Sequence, residues 1–372
     1  MQHMLIVATS GRALAQCAAR SGFSSVVLDC FADADTRVIA ESASSVADHS
    51  GVRFDGYRLL ETAERLSPPA DTDAMVYGAG FESDPALLES FARRYPLCGN
   101  PPEVVRLVKN PETLFPLLDE VGLPYPDTRL DPPATTDGWL IKRIGGAGGQ
   151  HVQHCGLRPF ESGRDYFQRA VPGTVSSVLF LADKRRAQVI GVSEALPPGD
   201  GFASPFAYSG AVSHAAVPPG IRDELSRKLD TLVAVTGLVG LNGIDFVVDR
   251  DSFRVLEINP RPTATLELYD PDVADGLLNA HVSTCLGEPV SLEQFWGPVR
   301  AHAIVFARLG FRLPSNWRPA PWCSDVPYRD DLVSPGMPIC SVRAEGSSHA
   351  EVLSRISLYR AAVLESCEGA MA

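Results

Sequence analysis

Two acids and an amide in the second half of the chain have the types and spacing of a metal site. Asp245 precedes Glu257 by 12 residues, and Asn259 follows two residues later. The polar stretch between two apolar runs predicts a hairpin, and a three-residue loop at 250–252 would place Asp245 directly opposite Glu257. Asn259 would then project to the same face of the sheet. Two opposed carboxylates need a neutralising partner, and their oxygens together with an amide oxygen suit Mg²⁺.

This metal prediction depends on the register of the hairpin. A two-residue loop would put Asp245 and Glu257 on opposite faces of the sheet. Solvated acids on an edge hairpin are therefore the alternative interpretation. Apolar neighbours such as Phe246 and Leu256 favour two strands that are substantially buried.

A second group of residues combines a lysine with a glycine-rich segment. Lys142 lies near the end of an apolar strand and precedes four glycines within five positions, Gly145, Gly146, Gly148 and Gly149. Glycine allows positive φ angles and a close approach of backbone N–H groups to an anion, and lysine is a mobile cation for phosphate oxygens. The segment predicts a hairpin flap over the phosphates of a nucleotide. A flexible surface hairpin is the alternative, and the order of the residues excludes a Walker A loop.

A third segment, residues 167–173, runs from a strand into a Pro-Gly turn. It predicts a linker between two lobes, whose backbone donors and acceptors face the edge of a purine. A plain connector is the alternative interpretation.

The elements that must position these residues change in character along the chain. Apolar runs separated by helical segments predict a parallel α/β domain over about residues 1–100. Proline and glycine then mark a boundary near residues 122–133. Strands follow from Trp139, with one amphipathic helix over about residues 221–236, and the tail from about residue 299 returns to strands and a final helix.

Composition excludes several classes of protein. The 372 residues are 45% apolar and 21% charged, with a net charge of −12, which is typical of a globular protein of two or three domains. This charge argues against nucleic acid and anionic membranes as partners. No two of the eight cysteines are closer than 13 residues, and no run of 18 apolar residues occurs. We therefore expect a cytoplasmic protein without a disulfide framework or a membrane-spanning segment.

The order of these pieces resembles the ATP-grasp superfamily, in particular its carboxylate–amine ligases and biotin-carboxylase-like enzymes. The most specific part is Glu257-Ile-Asn259-Pro-Arg261 with an acid 12 residues upstream. The resemblance covers the order of the whole chain. It implies an α/β and α+β fold with an N-terminal Rossmann-like pre-ATP domain, central ATP-grasp lobes and C-terminal strands.

The resemblance also implies domain limits. The pre-ATP domain spans residues 1–100, the ATP-grasp domain spans 101–290, and a β-rich closing segment spans 291–372. Within the ATP-grasp domain, a flap lobe covers about residues 139–190 and a metal-site lobe covers about residues 191–290.

Carried over by position, the resemblance implies a role for each candidate residue. The implied cofactors are ATP and Mg²⁺ or Mn²⁺, and the implied metal ligands are Asp245, Glu257 and Asn259. Arg261 is implied as the catalytic cation that meets the transferred phosphate. The implied nucleotide contacts are two lysines, the flap and an adenine hinge, namely Lys109, Lys142, Gly145, Gly146, Gly148, Gly149, Gln168, Arg169, Ala170 and Val171. Gln168 departs from the glutamate that is usual at its position.

The implied activity is that of an ADP-forming carbon–nitrogen ligase. A carboxylate attacks the γ-phosphate of ATP, and an amine then displaces phosphate from the acyl-phosphate. Arg261 is followed by Pro-Thr-Ala-Thr265, without the acid that biotin carboxylases carry there, which disfavours bicarbonate chemistry. A biotin-carboxylase-like carboxylase and a non-catalytic ATP-binding regulatory protein are the alternative functions.

The expected substrates are a small-molecule carboxylate and an amine, with an amino acid among them. The segment 78–82 and the tail resemble predicted ligases of methanogens and methylotrophs, which suggests methanofuran- or methanopterin-type cofactor biosynthesis. Glu82 is the candidate for binding a substrate ammonium group, and a helix N-terminal acid is the alternative. This group of enzymes commonly forms homodimers. His151, His154 and His214 receive no role.

Overall fold

The computed structural model describes residues 2–198, 204–293, 297–328 and 331–368. The N-terminal region consists of β1 (His3–Val7), α1 (Arg12–Arg20), β2 (Ser24–Asp29), α2 (Ala34–Ile39), β3 (Ser42–Ser45), α3 (Gly56–Leu66), β4 (Ala74–Tyr77), α4 (Pro85–Ala92) and β5 (Leu97–Cys98). All five strands are parallel, in the order β3-β2-β1-β4-β5. Met4 and Ile6 belong to one apolar core and Leu5 and Val7 to another, so β1 is buried on both faces, as a parallel sheet requires.

Two helices connect this region to the rest of the chain, α5 (Pro102–Lys109) and α6 (Pro111–Val121). The Asn110 side chain caps α6 by accepting from the N–H of Glu112, and Gly122 ends it with a φ of 73°. Lys109 is the last residue of α5, so its position is fixed by a sharp break between two helices.

A four-stranded antiparallel sheet follows. It contains β6 (Thr128–Arg129), β7 (Trp139–Arg143), β8 (Val152–His154) and β9 (Asp165–Arg169), in the order β6-β9-β7-β8. The glycine-rich segment connects β7 to β8, which pair antiparallel. It is therefore the tip of a hairpin, as the sequence predicts.

The remaining strands build one large sheet and a small two-stranded one. Along the chain the elements are β10 (Thr174–Asp183), β11 (Ala187–Ala195), β12 (Gly210–Ser213), α7 (Pro219–Thr236), β13 (Val239–Asp249), β14 (Ser252–Asn259), α8 (Leu266–Tyr269), α9 (Leu277–Cys285), β15 (Val299–Phe306), β16 (Phe311–Arg312), β17 (Cys323–Ser324), β18 (Leu332–Val333), β19 (Pro338–Gly346) and α10 (His349–Glu368). The large sheet has the order β14-β13-β10-β11-β12-β15-β19-β17, and β16 pairs with β18. Short 3₁₀ turns lie at Pro69–Asp71 and Asp270–Asp272.

The large sheet crosses the expected domain limits. Strands β10 and β11 belong to it, although the expected flap lobe extended to about residue 190. The C-terminal strand β15 pairs directly with β12, so the closing segment continues the sheet of the metal-site lobe. The domain limits themselves stay a prediction.

The hairpin of β13 and β14 has a shorter turn than expected. Asp249 pairs with Ser252, so the loop contains two residues, not three. A β-bulge leaves Leu256 unpaired and shifts the register by one residue, so Asp245 still lies opposite Glu257. The expected pairing is confirmed, but the expected loop length is wrong.

Within the described ranges, no helix is long and apolar enough to cross a membrane.

Candidate active site

The two acids of the hairpin form a half-buried carboxylate pair. Burial and the charge of Glu257 raise the pKa of Asp245 to about 6. Burial also disfavours the charged form of Glu257, but the ammonium groups of Lys109 and Lys142 lower its pKa to about 2. The pair therefore carries negative charge that several cations already face.

Asn259 completes this set on the same strand. Its amide Nδ2 donates to Oδ2 of Asp245 over 2.9 Å, and its Oδ1 lies 3.4 Å from Nζ of Lys109. Asn259 pairs with Gly243, two residues from Asp245, which puts the three predicted metal ligands on one face. The hairpin brings them together as expected, and their metal-binding role stays a prediction.

This donor set fits Mg²⁺ better than a metal held by protein alone. Among the described residues, no three histidine, cysteine, aspartate or glutamate side chains form a metal-binding group. Two carboxylates and one amide oxygen leave half of an octahedral shell to water and substrate phosphates, and Mg²⁺ commonly keeps several such ligands.

Two lysines approach the carboxylates from different elements. The Lys109 ammonium at the end of α5 lies 3.0 Å from Oε2 of Glu257. Lys142 on β7 donates to Oε1 of Gln168 over 3.0 Å. Burial lowers the pKa of Lys142, while Glu257 and Asp245 raise it. Both lysines are buried, so each is held in place and not free in solvent.

Gln168 is already engaged within the small sheet. Its Oε1 accepts from Lys142, and its Nε2 donates to Oγ1 of Thr128 over 3.3 Å. The Gln168 side chain therefore positions Lys142 in this structure, and its predicted contact with adenine stays a prediction.

The expected adenine hinge connects the two sheets. Arg169 ends β9, its guanidinium lies 5.6 Å from the centre of the Trp139 ring, and it donates to the carbonyl of Asp137. The N–H of Ala170 donates to the carbonyl of Gly138. Val171 follows, before the Pro-Gly turn. The structure ties the start of the hinge to the 137–139 loop, and its nucleotide role stays a prediction.

The flap depends on glycine at specific positions. Gly145, Gly148 and Gly149 have φ angles of 70°, 68° and 73°, which favour glycine. A Cβ on Gly149 would also collide with the carbonyl oxygen of Phe206, whereas one on Gly148 would meet nothing within 4 Å. A Cβ on Gly146 would collide with the ring of His151. The flap thus packs closely against the chain at residue 206.

His151 lies beside the flap and close to the charged cluster. Burial lowers its pKa to about 4. A cleft here is lined by apolar side chains from α5 and α6, by the flap and by five polar side chains, those of Lys109, Arg143, His151, Tyr166 and Glu257. A cleft with apolar residues on one side and charged residues on the other is suited to a ligand that has both an apolar and an anionic part.

Arg261 and Glu82 form a buried ion pair between the large sheet and the N-terminal region. Nε of Arg261 lies 2.5 Å from Oε1 of Glu82, and the N–H of Gly80 donates to Oε2 over 2.7 Å. Burial disfavours the charged form of Glu82, but Arg261 and then Lys109 hold its pKa below its usual value. Glu82 therefore orients Arg261, and its predicted contact with a substrate ammonium group stays a prediction.

The sequence analysis missed a second polar group beside this cluster. Tyr208 Oη lies 2.5 Å from Nε2 of His302, and Nδ1 of His302 lies 3.0 Å from Oε1 of Glu267. Arg12 lies 2.8 Å from Oε2 of Glu267 and 3.0 Å from Oδ1 of Asp325. One signal could have found it, because His302 lies between two alanines in the largely apolar strand β15.

Comparison with known families supports the fold. Residues 112–265 match the model of a family described as an ATP-grasp domain. A comparison with curated proteins gave no match.

Solved structures resemble nearly the whole chain. A biotin carboxylase from Campylobacter jejuni, in complex with β,γ-ATP, has a TM-score of 0.71 at 14% identity and covers 95% of this chain and 90% of its own. The biotin carboxylase domain of the Hydrogenobacter thermophilus 2-oxoglutarate carboxylase, solved as a dimer with MgADP, ADP and bicarbonate, has a TM-score of 0.73 at 10% identity, with coverages of 95% and 89%.

A third structure differs in activity but shares the architecture. The N5-carboxyaminoimidazole ribonucleotide synthetase of Thermotoga maritima has a TM-score of 0.66 at 14% identity and covers 97% of this chain and 98% of its own. At these identities the likeness establishes fold and not activity. The predicted fold class is confirmed, because residues 112–265 match an ATP-grasp domain model and the chain has the fold that these enzymes share.

Proposed function

We propose that the protein is an ATP-dependent ligase that activates a carboxylate as an acyl-phosphate and joins it to an amine. The observation that carries the proposal is the convergence of Asp245, Glu257 and Asn259 with Lys109 and Lys142, since opposed carboxylates faced by two buried lysines match the needs of phosphoryl transfer.

Each part of the site has a defined task in this proposal. Asp245, Glu257 and Asn259 would hold Mg²⁺, which would neutralise the charge on the β- and γ-phosphates of ATP. Lys109 and Lys142 would bind phosphate oxygens as point charges. The flap around Gly149 would cover the phosphates and exclude water, so that the acyl-phosphate reacts with the amine and not with solvent.

Arg261 would bind the transferred phosphate. Its guanidinium is fixed by Glu82 through Nε, and its Nη2 lies 3.4 Å from Oδ1 of the proposed metal ligand Asn259. A planar cation with a fixed orientation suits a phosphate or acyl-phosphate oxygen. Preorganisation of this kind contributes to rate because the cation does not need to reorient during the reaction.

The carboxylase alternative is less favoured by the residues that follow Arg261. Thr263 and Thr265 contact each other through their hydroxyls over 2.8 Å, and neither supplies a carboxylate. The suggested place in methanofuran- or methanopterin-type cofactor biosynthesis, the amino-acid substrate, the homodimer and the cytoplasmic location are further parts of the proposal.

The test is phosphate release from Mg-ATP with a mixture of L-amino acids and simple amines. Release that depends on both an acid and an amine supports the ligase. Nucleotide binding without substrate-dependent release supports the regulatory alternative, and release that depends on bicarbonate supports the carboxylase. Glu257→Gln serves as the inactive control in each assay.

A further inference from the structure

Tyr208, His302 and Glu267 form a row in which an imidazole lies between a phenol and a carboxylate. Oε1 of Glu267 lies 3.0 Å from Nδ1 of His302 in an ion-pair contact without hydrogen-bond geometry, and its negative charge favours a ring proton on that side. Nε2 is then free to accept the hydroxyl proton of Tyr208, whose oxygen is 2.5 Å away. A nucleophile or acid next to a histidine that a carboxylate orients is a recurring catalytic arrangement.

The imidazole is suited to take up a proton. His302 is 2% exposed, and this burial lowers its pKa, although the neighbouring Glu267 raises it. The ring is therefore neutral near pH 7, and Glu267 is placed to stabilise the imidazolium that forms. Arg12 forms an ion pair with Glu267, and Asp325 in turn forms an ion pair with Arg12.

The phenol of Tyr208 lies where the flap meets the charged cluster. The N–H of Tyr208 donates to the carbonyl of Gly148 in the flap over 2.9 Å. Burial raises the pKa of the phenol, as do Glu267 and Asp245, while Arg261 lowers it. The side chain keeps partial exposure, in contrast to the fully enclosed ring of His302. The phenol, and not the imidazole, is therefore the part of this pair that a bound molecule can contact.

The proposed ligation requires a base that the known site residues do not supply. A primary amine is an ammonium ion at neutral pH and must lose a proton before it can attack. Asp245 and Glu257 are assigned to the metal and Glu82 to Arg261, and position 265 is a threonine. Two imidazoles remain near this junction, His151 beside the flap and His302, and only His302 has a carboxylate, Glu267, within ion-pair distance among the contacts of the described residues.

We propose that Tyr208, His302 and Glu267 form a proton relay that deprotonates the attacking ammonium group, an inference that rests on the proposed ligase function. The ammonium gives one proton to Oη of Tyr208 as the phenolic proton passes to Nε2 of His302. The amine nitrogen then forms the C–N bond, and the C–O bond to phosphate breaks. The second N–H proton leaves with inorganic phosphate, and His302 returns its proton to solvent.

The test compares a protonated with an unprotonated nucleophile. Mg-ATP and a mixture of L-amino acids and simple amines are supplied with or without hydroxylamine, which is largely unprotonated at neutral pH. Phosphate release reports the amine reaction, and hydroxamate formation reports the hydroxylamine reaction. We expect His302→Gln to lower the ratio of amine to hydroxylamine rates by at least about 100-fold, since general base catalysis contributes about 10²–10⁴.

Two further variants make the result decisive. Tyr208→Phe removes only the hydroxyl and should also lower the ratio of amine to hydroxylamine rates. It can therefore serve as the test if His302→Gln does not fold. His281→Gln is the matched control, because His281 is equally buried but binds only the backbone of Leu241 and Cys98 and its neighbour Cys285. Its ratio should equal that of the wild-type protein.

The outcomes separate the relay from the ligase. If both rates fall in parallel in Tyr208→Phe and His302→Gln, the residues only position the flap and the relay is overturned. If the wild-type protein forms neither phosphate nor hydroxamate, the proposed ligase function itself fails, and the relay fails with it.

Discussion

The ammonium of Lys109 lies 3.0 Å from the carboxylate of Glu257, so a cation proposed for phosphate and an acid proposed for metal contact each other directly. Lys109 is held by the break between α5 and α6, and Glu257 by the bulged hairpin of β13 and β14. A metal ion at Glu257 and a phosphate at Lys109 would separate the two charges. In the proposed site, the pair would thus link nucleotide binding to metal binding.

Removal of the Glu257 charge should abolish turnover without unfolding the protein. In Glu257→Gln the amide can still accept from Lys109, but it is a poor ligand for Mg²⁺. The lost stabilisation of the transferred phosphoryl group is several kcal/mol, so the rate should fall about 100-fold or more. The measurement is phosphate release together with thermal unfolding. Asp251→Asn in the exposed turn of the same hairpin is the matched control and should keep the wild-type rate.

The flap allows a comparison of two adjacent glycines. Gly148 and Gly149 have nearly the same positive φ, so alanine costs about 1–2 kcal/mol of backbone strain at either position. Only at Gly149 does the new methyl group collide with the carbonyl of Phe206. Gly149→Ala should therefore weaken binding of a non-hydrolysable Mg-ATP analogue about tenfold more than Gly148→Ala, as measured by calorimetry. Equal losses in the two variants would show that the contact with residue 206 does not position the flap.

Local signals predicted much of the fold, because caps and breakers act within a few residues. The Asp84-Pro85 pair begins α4 and Gly122 terminates α6, as the N-cap and N1 preferences of aspartate and proline and the C-terminal preference of glycine predict. The β7–β8 hairpin with glycine at its tip was also predictable from its pattern. The longer strands of the large sheet were predictable from their apolar runs, but the short strands β12 and β17 were not predicted. The pairing of β12 with β15 joins residues about 90 apart and leaves no local signal.

The candidate site was predictable only where its residues are close in sequence. The opposition of Asp245 and Glu257 was expected, but for the wrong reason, since a bulge at Leu256 compensates for a shorter turn. The partner of Arg261 is Glu82, which is 179 residues away, and the Tyr208–His302 contact spans 94 residues. Such contacts depend on how the domains pack, which one sequence does not specify.

The Arg261–Glu82 pair should be strongly coupled in stability. The two side chains are 9% and 3% exposed, so removal of one leaves the other charge buried without its partner. Glu82→Ala should lower the free energy of unfolding by about 3–5 kcal/mol. The double variant Glu82→Ala with Arg261→Ala should lose less than the sum of the two single variants. Urea unfolding of all four proteins measures the coupling, and a value below about 0.5 kcal/mol would contradict a close buried pair.

Asp33 should make the protein less stable as the pH rises. This carboxyl group is buried at the start of α2, and burial together with the charges of Asp325, Asp29 and Asp35 raises its pKa to about 9. In the unfolded chain its pKa is about 3.9. Between these two pKa values the native state binds a proton at Asp33 that the unfolded state does not. The contribution of Asp33 to stability is therefore greatest at low pH and falls as the pH rises from about 3.9 to about 9.

The Asp33→Asn variant isolates this contribution. Asparagine resembles the protonated acid, so the variant should not lose stability through this titration. In the wild-type protein, a single proton changes the free energy of unfolding by at most about 1.4 kcal/mol per pH unit. The measurement is the free energy of unfolding in urea between pH 5 and pH 8, where the wild-type protein should lose stability more steeply than the variant. Asp71→Asn, at an exposed acid of the same domain, is the matched control and should keep the wild-type slope. Identical slopes for wild type and Asp33→Asn would mean that Asp33 is ionised in the native protein. In that case the charge of Arg12, which lowers the pKa of Asp33, would outweigh both burial and the three neighbouring acids.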